Sequence, residues 1–114
     1  MSRQPSPLDF PQSPLSRAFE QPLFLGLFLP VQSGGWSPSA LPRSTTWTFD
    51  YNRQLTLRAE ELGFDLVFAL AEWLGKGGYG GDIRYHDESL DAFITQAALA
   101  SVTSRILLIS VSYT

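Results

Sequence analysis

The sequence has no cysteine, one methionine and one histidine. Without thiols there is no disulfide framework, no thiolate nucleophile and no thiolate metal site. With His86 standing alone, a multi-histidine metal centre is excluded as well, and its neighbours Asp82, Asp87 and Glu88 fall at no recognised ligand spacing. Charge is scarce, at 17% of residues, and the 8 Lys and Arg are scattered among 11 Asp and Glu. No basic patch addresses phosphates or anionic lipid, so neither nucleic acid nor a membrane is expected as a partner. Long apolar runs are missing too. The longest, Leu23 to Val31, is far short of the roughly 18 residues of a membrane span. The start of the chain is polar and proline-rich where a signal peptide would be apolar, and a cytoplasmic location is expected. No G-x-S-x-G elbow, P-loop or H-E-x-x-H occurs, which removes the common hydrolase, nucleotide and zincin motifs.

Against these absences stand 44% hydrophobic residues in 114, a composition that buries surface and fills one small domain at most. Residues 1–22 hold Pro5, Pro7, Pro11, Pro14 and Pro22 among Ser, Gln and Arg without a sustained period, which predicts a disordered leader. Residues 23–114 carry the domain. Leu23 to Leu29 is a continuous apolar run stopped by Pro30, as suits a strand buried on both faces. The following Ser, Gly and Pro mark a loop in which Trp36 packs on something. From Asp50 the period becomes 3.6, with Tyr51, Leu55, Ala59 and Leu62 on one face, Asp50 as N-cap and Gly63 as a left-handed stop. Leu66 to Leu70 is a second strand, and a helical crossover between strands implies parallel pairing. Leu90, Phe93, Ile94, Ala97, Ala98 and Ser101 form the face of a second helix capped by Ser89, and Ile106 to Val111 is a third buried strand. Strands this apolar need cover on both faces and neighbours on both edges, so the β-α-β-α-β pattern is expected to be a fragment of a larger α/β fold, prone to aggregation or molten behaviour alone.

Gly75, Gly77 and Gly80 match G-x-G-x-x-G in letter. The context does not match. Residues 71–74 separate them from the strand, residues 82–88 from the next helix, and no acidic residue follows about 20 positions on, so a flexible active-site or surface loop is expected instead of a dinucleotide turn. His86 reads as part of a solvated polar loop, with a substrate-facing role as the alternative because the loop leaves a strand end. Trp36, Trp47, Trp73 and Tyr79 lie in or beside loops, where they either pack beneath them or wall the pocket of a planar ligand.

Residues 91–106 (DAFITQAALASVTSRI) resemble the second helix and third strand of the luciferase-like flavin-dependent monooxygenases, and residues 59–65 (AEELGFD) the first helix of that family leading into its second strand. Residues 26–36 (GLFLPVQSGGW) are similar to the branch that contains dimethyl sulfone and pyrimidine monooxygenases, the sulfone enzyme being the nearer. The resemblance runs from about Leu23 to Ser110. It implies an α/β fold that is the N-terminal β-α-β-α-β portion of a (β/α)8 TIM barrel, truncated after the third strand. It also implies reduced flavin mononucleotide (FMN) as cofactor, supplied by a separate NAD(P)H-dependent flavin reductase, and oxidation of a small organosulfur compound of the dimethyl sulfone or alkanesulfonate type with O2. By position Ala71 and Glu72 correspond to flavin-ring contacts, with Glu72 departing from the residue type there. Gln32, Trp36, Trp73, Tyr79 and Ser110 are candidates for the substrate pocket, because such barrels bind ligands at the C-terminal strand ends. The catalytic residue stays unknown at this point. Two other readings remain open: a non-catalytic fragment that docks an open strand edge on a homologous barrel, and a deazaflavin-dependent hydride-transfer relative.

Overall fold

The apolar runs of the sequence become a single parallel sheet. A computed structural model describes residues 3–39, 41, 46–74 and 84–113. The elements are α1 (Pro14–Phe19), β1 (Gly26–Phe28), α2 (Phe49–Glu61), β2 (Leu66–Glu72), α3 (Ala92–Ala100) and β3 (Leu107–Tyr113), with a 3-10 turn at Pro7–Asp9. Sheet order is β1-β2-β3, and both pairings are parallel. Parallel neighbours require crossovers, and α2 and α3 supply them. This is a β-α-β-α-β unit with parallel strands in sequential order, the α/β arrangement expected from the sequence.

Strand alternation gives the sheet two unlike faces. Val67, Ala69 and Ala71 are buried in one core with Leu29, Ala59, Ala92 and Leu99, contributed by β1's end and both crossover helices. Leu66, Phe68, Leu70 and Glu72 point the other way, and Phe28, Ile109, Val111 and Tyr113 stand beside the last three in register or next to Phe68. Phe28, Ile109 and Tyr113 are exposed. One face is covered by helices and the other is open among the described residues, in keeping with strands that are buried on both faces only within a larger fold.

The helix faces match their apolar spacing only in part: in α2 Ala59 is buried and Leu55 packs on the core as expected, but polar residues share that face. Thr48, rather than Asp50, caps α2 by accepting from Tyr51 N at 3.3 Å, and Asp50 sits in the first turn where its charge suits the helix dipole. Gly63 ends the helix at φ 87, as expected. The buried residues of α2 are Asn52, Thr56 and Ala59, while Leu62 lies in solvent. Likewise Asp91, not Ser89, caps α3, which buries Ala92, Thr95, Gln96 and Leu99 and leaves Phe93 and Ile94 outward. Small or backbone-bonded residues let each helix approach closely. The Asn52 amide donates to Pro30 O at 2.9 Å, Thr56 to Asn52 O at 2.8 Å, and the Gln96 amide to Ile109 O at 3.0 Å. The expected leader is not featureless: Ser6 and Ser13 cap the 3-10 turn and α1, each with proline in the first turn.

One carboxylate ties the start of β3 to α2. Glu60 Oε1 accepts from the backbone N–H of Ser104 (2.9 Å), Arg105 (2.6 Å) and Ile106 (3.1 Å). In return the Arg105 guanidinium donates to the carbonyls of Phe64 and Glu60. Partial burial pushes the Glu60 carboxyl up, but the backbone donors of Arg105, Ile106 and Ser104, together with the Arg105 charge, outweigh it and hold the group below its ordinary value of 4.5. A carboxyl depressed in this way stabilises the fold fully above its unfolded value and loses that contribution as pH falls below it. Glu60→Gln is expected to lower the unfolding free energy by about 1 kcal/mol at pH 7, since the site is largely solvent-facing. The difference should shrink progressively as urea titrations are taken to pH values further below 4.5. An undiminished difference at low pH would show that the carboxylate charge is not what the clamp uses.

Candidate functional site

All three strands finish at one end of the sheet, and there the segments that follow β1 and β2 interlock. Gln32 and Ser89 form an antiparallel bridge. Ser33 N donates to Glu88 O (2.8 Å), His86 N to Ser33 O (2.9 Å), Leu90 N to Val31 O (2.8 Å) and Leu74 N to His86 O (2.9 Å). Side chains lock the same crossing. The Trp73 indole donates to Asp87 O at 2.9 Å, Ser33 Oγ to Asp87 Oδ1 at 2.9 Å, and Arg84 Nε to Asp87 Oδ2 at 2.7 Å. The hydrogen bond and charge of Asp87, with the charge of Glu88, raise the Arg84 pKa above its ordinary value. Arg84 and His86 have φ of 54 and 59, a left-handed conformation that L residues adopt at a cost and that this interlocked backbone imposes.

His86 lies at the centre and is completely buried, which corrects the expectation of a solvated loop residue. Its Nε2 is 2.9 Å from Gly35 O and 3.3 Å from the Gln32 side-chain amide, and its Nδ1 is 3.2 Å from Glu72 Oε2. The ring is stacked against Tyr85 with centroids 3.6 Å apart and meets the edge of Trp36 at 5.7 Å. Because Gly35 O can only accept, Nε2 must carry its hydrogen. The Gln32 amide beside that nitrogen then turns its oxygen toward the ring, where it can share the Nε2 hydrogen with Gly35 O.

The candidates named from sequence separate clearly. Gln32 is buried beside His86. Trp36 donates to Leu29 O at 3.0 Å and packs its ring on Phe28, which in turn packs on Phe68, at centroid distances of 4.6 and 4.5 Å. Glu72 reaches the open face, whereas Ala71, its neighbour, belongs to the helix-covered core. Ala71 and Trp73 line a cavity of about 460 Å3 at the strand ends, together with Trp47, Leu90, Ser112 and Tyr113. Ser110 is not brought to the cluster: its hydroxyl donates to Ala92 O at 3.3 Å on the helix-covered face. Tyr79, like Gly75, Gly77, Gly80 and Asp82, lies outside the described residues. Sequence reasoning missed Ser33, whose hydroxyl joins Asp87 and Glu88, because those partners are 54 and 55 positions away. Ser112 and Tyr113 lie in the strand-end segment 110–114 where fold reasoning places the site, and they reach the cavity because β3 runs on past Val111.

A parallel β/α unit with its loops, aromatic rings and cavity gathered at the C-terminal strand ends is the ligand-binding arrangement of the β/α barrels. Residues 24–112 match the family of luciferase-like monooxygenases, and the chain belongs to that family. It is similar to pyrimidine monooxygenase RutA of Methylorubrum extorquens (strain PA1), with 35% identity over 94 residues, 82% of this chain and 24% of the relative. The corresponding protein of Rhizobium rhizogenes (strain K84 / ATCC BAA-868) is 33% identical over 90 residues, 79% of this chain and 24% of the relative. That of Pseudomonas syringae pv. syringae (strain B728a) is 34% identical over 84 residues, 74% of this chain and 22% of the relative. The chain thus spans about a quarter of the length of the curated relatives it matches. Among the described residues no helix is long and apolar enough to cross a membrane, and no group of three or more His, Asp and Glu is placed to hold a metal ion.

Proposed function

We propose that the chain forms one wall of a flavin-dependent monooxygenase site, where reduced FMN delivered by a separate NAD(P)H-dependent reductase meets a small substrate at the C-terminal strand ends. The observation that supports this most is the open sheet face, apolar along Phe68, Leu70 and Val111 and ending in Glu72 and Tyr113, beside an aromatic-lined cavity. These residues fit the flat ring of a flavin. Among the described residues, Arg84 over the strand ends is paired with Asp87 and Glu88, and Arg53 near the start of α2 with Asp50, so neither is offered to the phosphate. Bound reduced flavin supplies the electrons that reduce O2, so that one oxygen atom enters the substrate and the other leaves as water.

For that chemistry the chain's own residues have to orient the ring and keep water away. Leu70, Val111 and Tyr113 offer a flat apolar backing, Glu72 is the polar group at its rim, and the Ser33–Asp87 crossing fixes the loops above. One wall cannot dry a site, so exclusion of water needs surfaces beyond these three strands. The relatives named pyrimidine monooxygenase favour a small planar nitrogen heterocycle as substrate. A second reading, an organosulfur compound such as dimethyl sulfone or an alkanesulfonate, is favoured by the resemblance of residues 26–36. Both readings are tested by grafting residues 24–112 in place of the matching segment of the Methylorubrum extorquens relative and supplying FMN, NADH, a flavin reductase and 18O2. Uracil-dependent incorporation of one 18O atom is expected. Incorporation into dimethyl sulfone instead would transfer the assignment to organosulfur substrates, and a folded graft that binds no flavin would overturn the proposal.

A further inference from the structure

We propose that the hollow at the N-terminal end of the sheet binds the phosphate group of a small ligand between the guanidinium groups of Arg17 and Arg105. This end lies opposite the one assigned above to the flavin ring. The length of β2, Leu66–Glu72, separates the two by about 20 Å, so this is a second site that stands or falls independently of the first.

α1 and the turns that lead into β2 and β3 enclose a cavity of about 350 Å3, lined by Arg17, Ala18 and Gln21 from the helix and by Gly63, Asp65 and Arg105 from the turns. Ala18 is buried, and Phe19 stacks on Phe24 just ahead of β1 at a centroid distance of 6.1 Å, which seats α1 at this end. Among the described residues Arg3, Arg53, Arg58 and Arg84 each pair with a carboxylate. Arg17 and Arg105, the other two arginines described, make no ion pair there, and both line this one cavity. Arg17 donates to Gln12 Oε1 at 2.8 Å. Arg105 donates to the carbonyls of Phe64 and Glu60, while the Glu60 carboxylate is taken up by the backbone N–H groups of Ser104, Arg105 and Ile106. Neutral oxygens thus hold both guanidinium groups in place and leave each of them donors to spare.

Two guanidinium groups around one hollow attract an oxyanion that accepts from both, and a phosphate dianion balances their charge. Arg105 is already anchored, so little side-chain freedom is lost when it binds. Asp65 decides what accompanies the phosphate. Its Oδ2 accepts from Leu25 N at 2.8 Å, and its Oδ1 accepts from no other described residue. A carboxylate on the wall repels a bare phosphate ion but accepts from a hydroxyl, which favours a phosphate monoester with a hydroxyl close to the phosphate. Such a ligand also ties two parts of the chain together. Among the described residues the hydrogen bonds and ion pairs of residues 3–22 stay within that segment, from Arg3 with Asp9 to Arg17 with Gln12, and the phosphate supplies a polar link from it to the sheet.

The test titrates the 114-residue chain, labelled with 13C and 15N and free of flavin, with inorganic phosphate and with glycerol 3-phosphate at fixed ionic strength. The Nε–H signals of Arg17 and Arg105 and the amide of Gly63 are expected to shift along one saturating curve, and glycerol 3-phosphate to bind at least about threefold more tightly than inorganic phosphate. Arg17→Ala, a change at an exposed position of α1, should weaken both ligands at least about tenfold and leave the ligand-free thermal unfolding curve unchanged. Arg105→Ala should weaken them as much. Because it also removes donors to Phe64 O and Glu60 O, Arg105→Lys is measured beside it; this variant and Arg17→Lys keep the charge without the fork and should fall between. Arg53→Ala makes the same change in net charge near the start of α2 and should leave both affinities within about twofold. Asp65→Asn keeps an acceptor for Leu25 N and should bring the two ligands within about twofold of each other. Equal binding of the two by the unsubstituted chain, with both arginine signals shifting, would uphold the phosphate site and assign it to the free ion. Shifts at neither arginine, an affinity indifferent to Arg17→Ala, or a loss from Arg53→Ala as large as that from Arg17→Ala would overturn the proposal. The flavin wall at the opposite strand ends is untouched by any of these results.

Discussion

Replacing Leu99 by alanine is expected to lower the unfolding free energy by about 3 kcal/mol, whereas Ile94→Ala on the same helix should change it by less than about 0.5 kcal/mol. The two residues are both large and aliphatic, and α3 separates them by face. Leu99 is completely buried among Val67, Ala69, Ala92 and Ile106, so its removal loses transfer free energy and leaves a cavity. Ile94 is 72% exposed beside Phe49 and Leu90 and has little to lose. A domain of this size has a total stability of only about 5–15 kcal/mol, so the first substitution should be plain in urea titrations followed by far-ultraviolet dichroism. Equal losses at the two positions would mean that α3 turns a broader face to the protein than the structure shows.

The second large effect concerns the open face. Val111→Asp is expected to weaken lumiflavin binding about tenfold, and Ser110→Ala to leave it unchanged, although the two residues are adjacent. Val111 stands beside Leu70 on the face proposed to back the ring, and a carboxylate there would be desolvated by any flat apolar ligand. Ser110 faces Ala92 on the other side of the sheet. Flavin fluorescence titrations separate the two. Equal weakening would place the ligand on the helix-covered side or show that binding follows global stability.

The strands were legible because parallel neighbours under helices favour continuous apolar runs, and the runs ending at Leu29, at Leu70 and at Val111 each overlap an observed strand. Gly63 was legible because a left-handed stop follows from local chemistry alone. The helix faces were legible only in part, through Leu55 and Ala59 of α2. Asn52, Thr56, Thr95 and Gln96 are polar, and a hydropathy period places them outward; Asn52 and Gln96 are buried because carbonyls of Pro30 and Ile109, 22 and 13 positions away, accept from them, and Thr56 bonds back to Asn52 O within the helix. His86 shows the same difficulty in stronger form. Its partners Gln32 and Gly35 are 54 and 51 positions away, so nothing near it in the chain distinguishes a buried ring from a solvated one. The candidates placed at strand ends by fold reasoning alone fared unevenly. Glu72 and Trp73 reach that end with their side chains, while Ser110 falls one residue out of phase and turns to the opposite face.

The central claim is that the uncovered face of the sheet, and not the helix-covered one, receives a flat ring at the C-terminal strand ends. Methyl-resolved NMR of the labelled chain titrated with lumiflavin tests it most directly. Shifts are expected for Leu70 and Val111, near the rim, with little change at Val67, Leu99 and Leu108. Shifts concentrated on Val67, Leu99 and Leu108, or none on the open face, would contradict it.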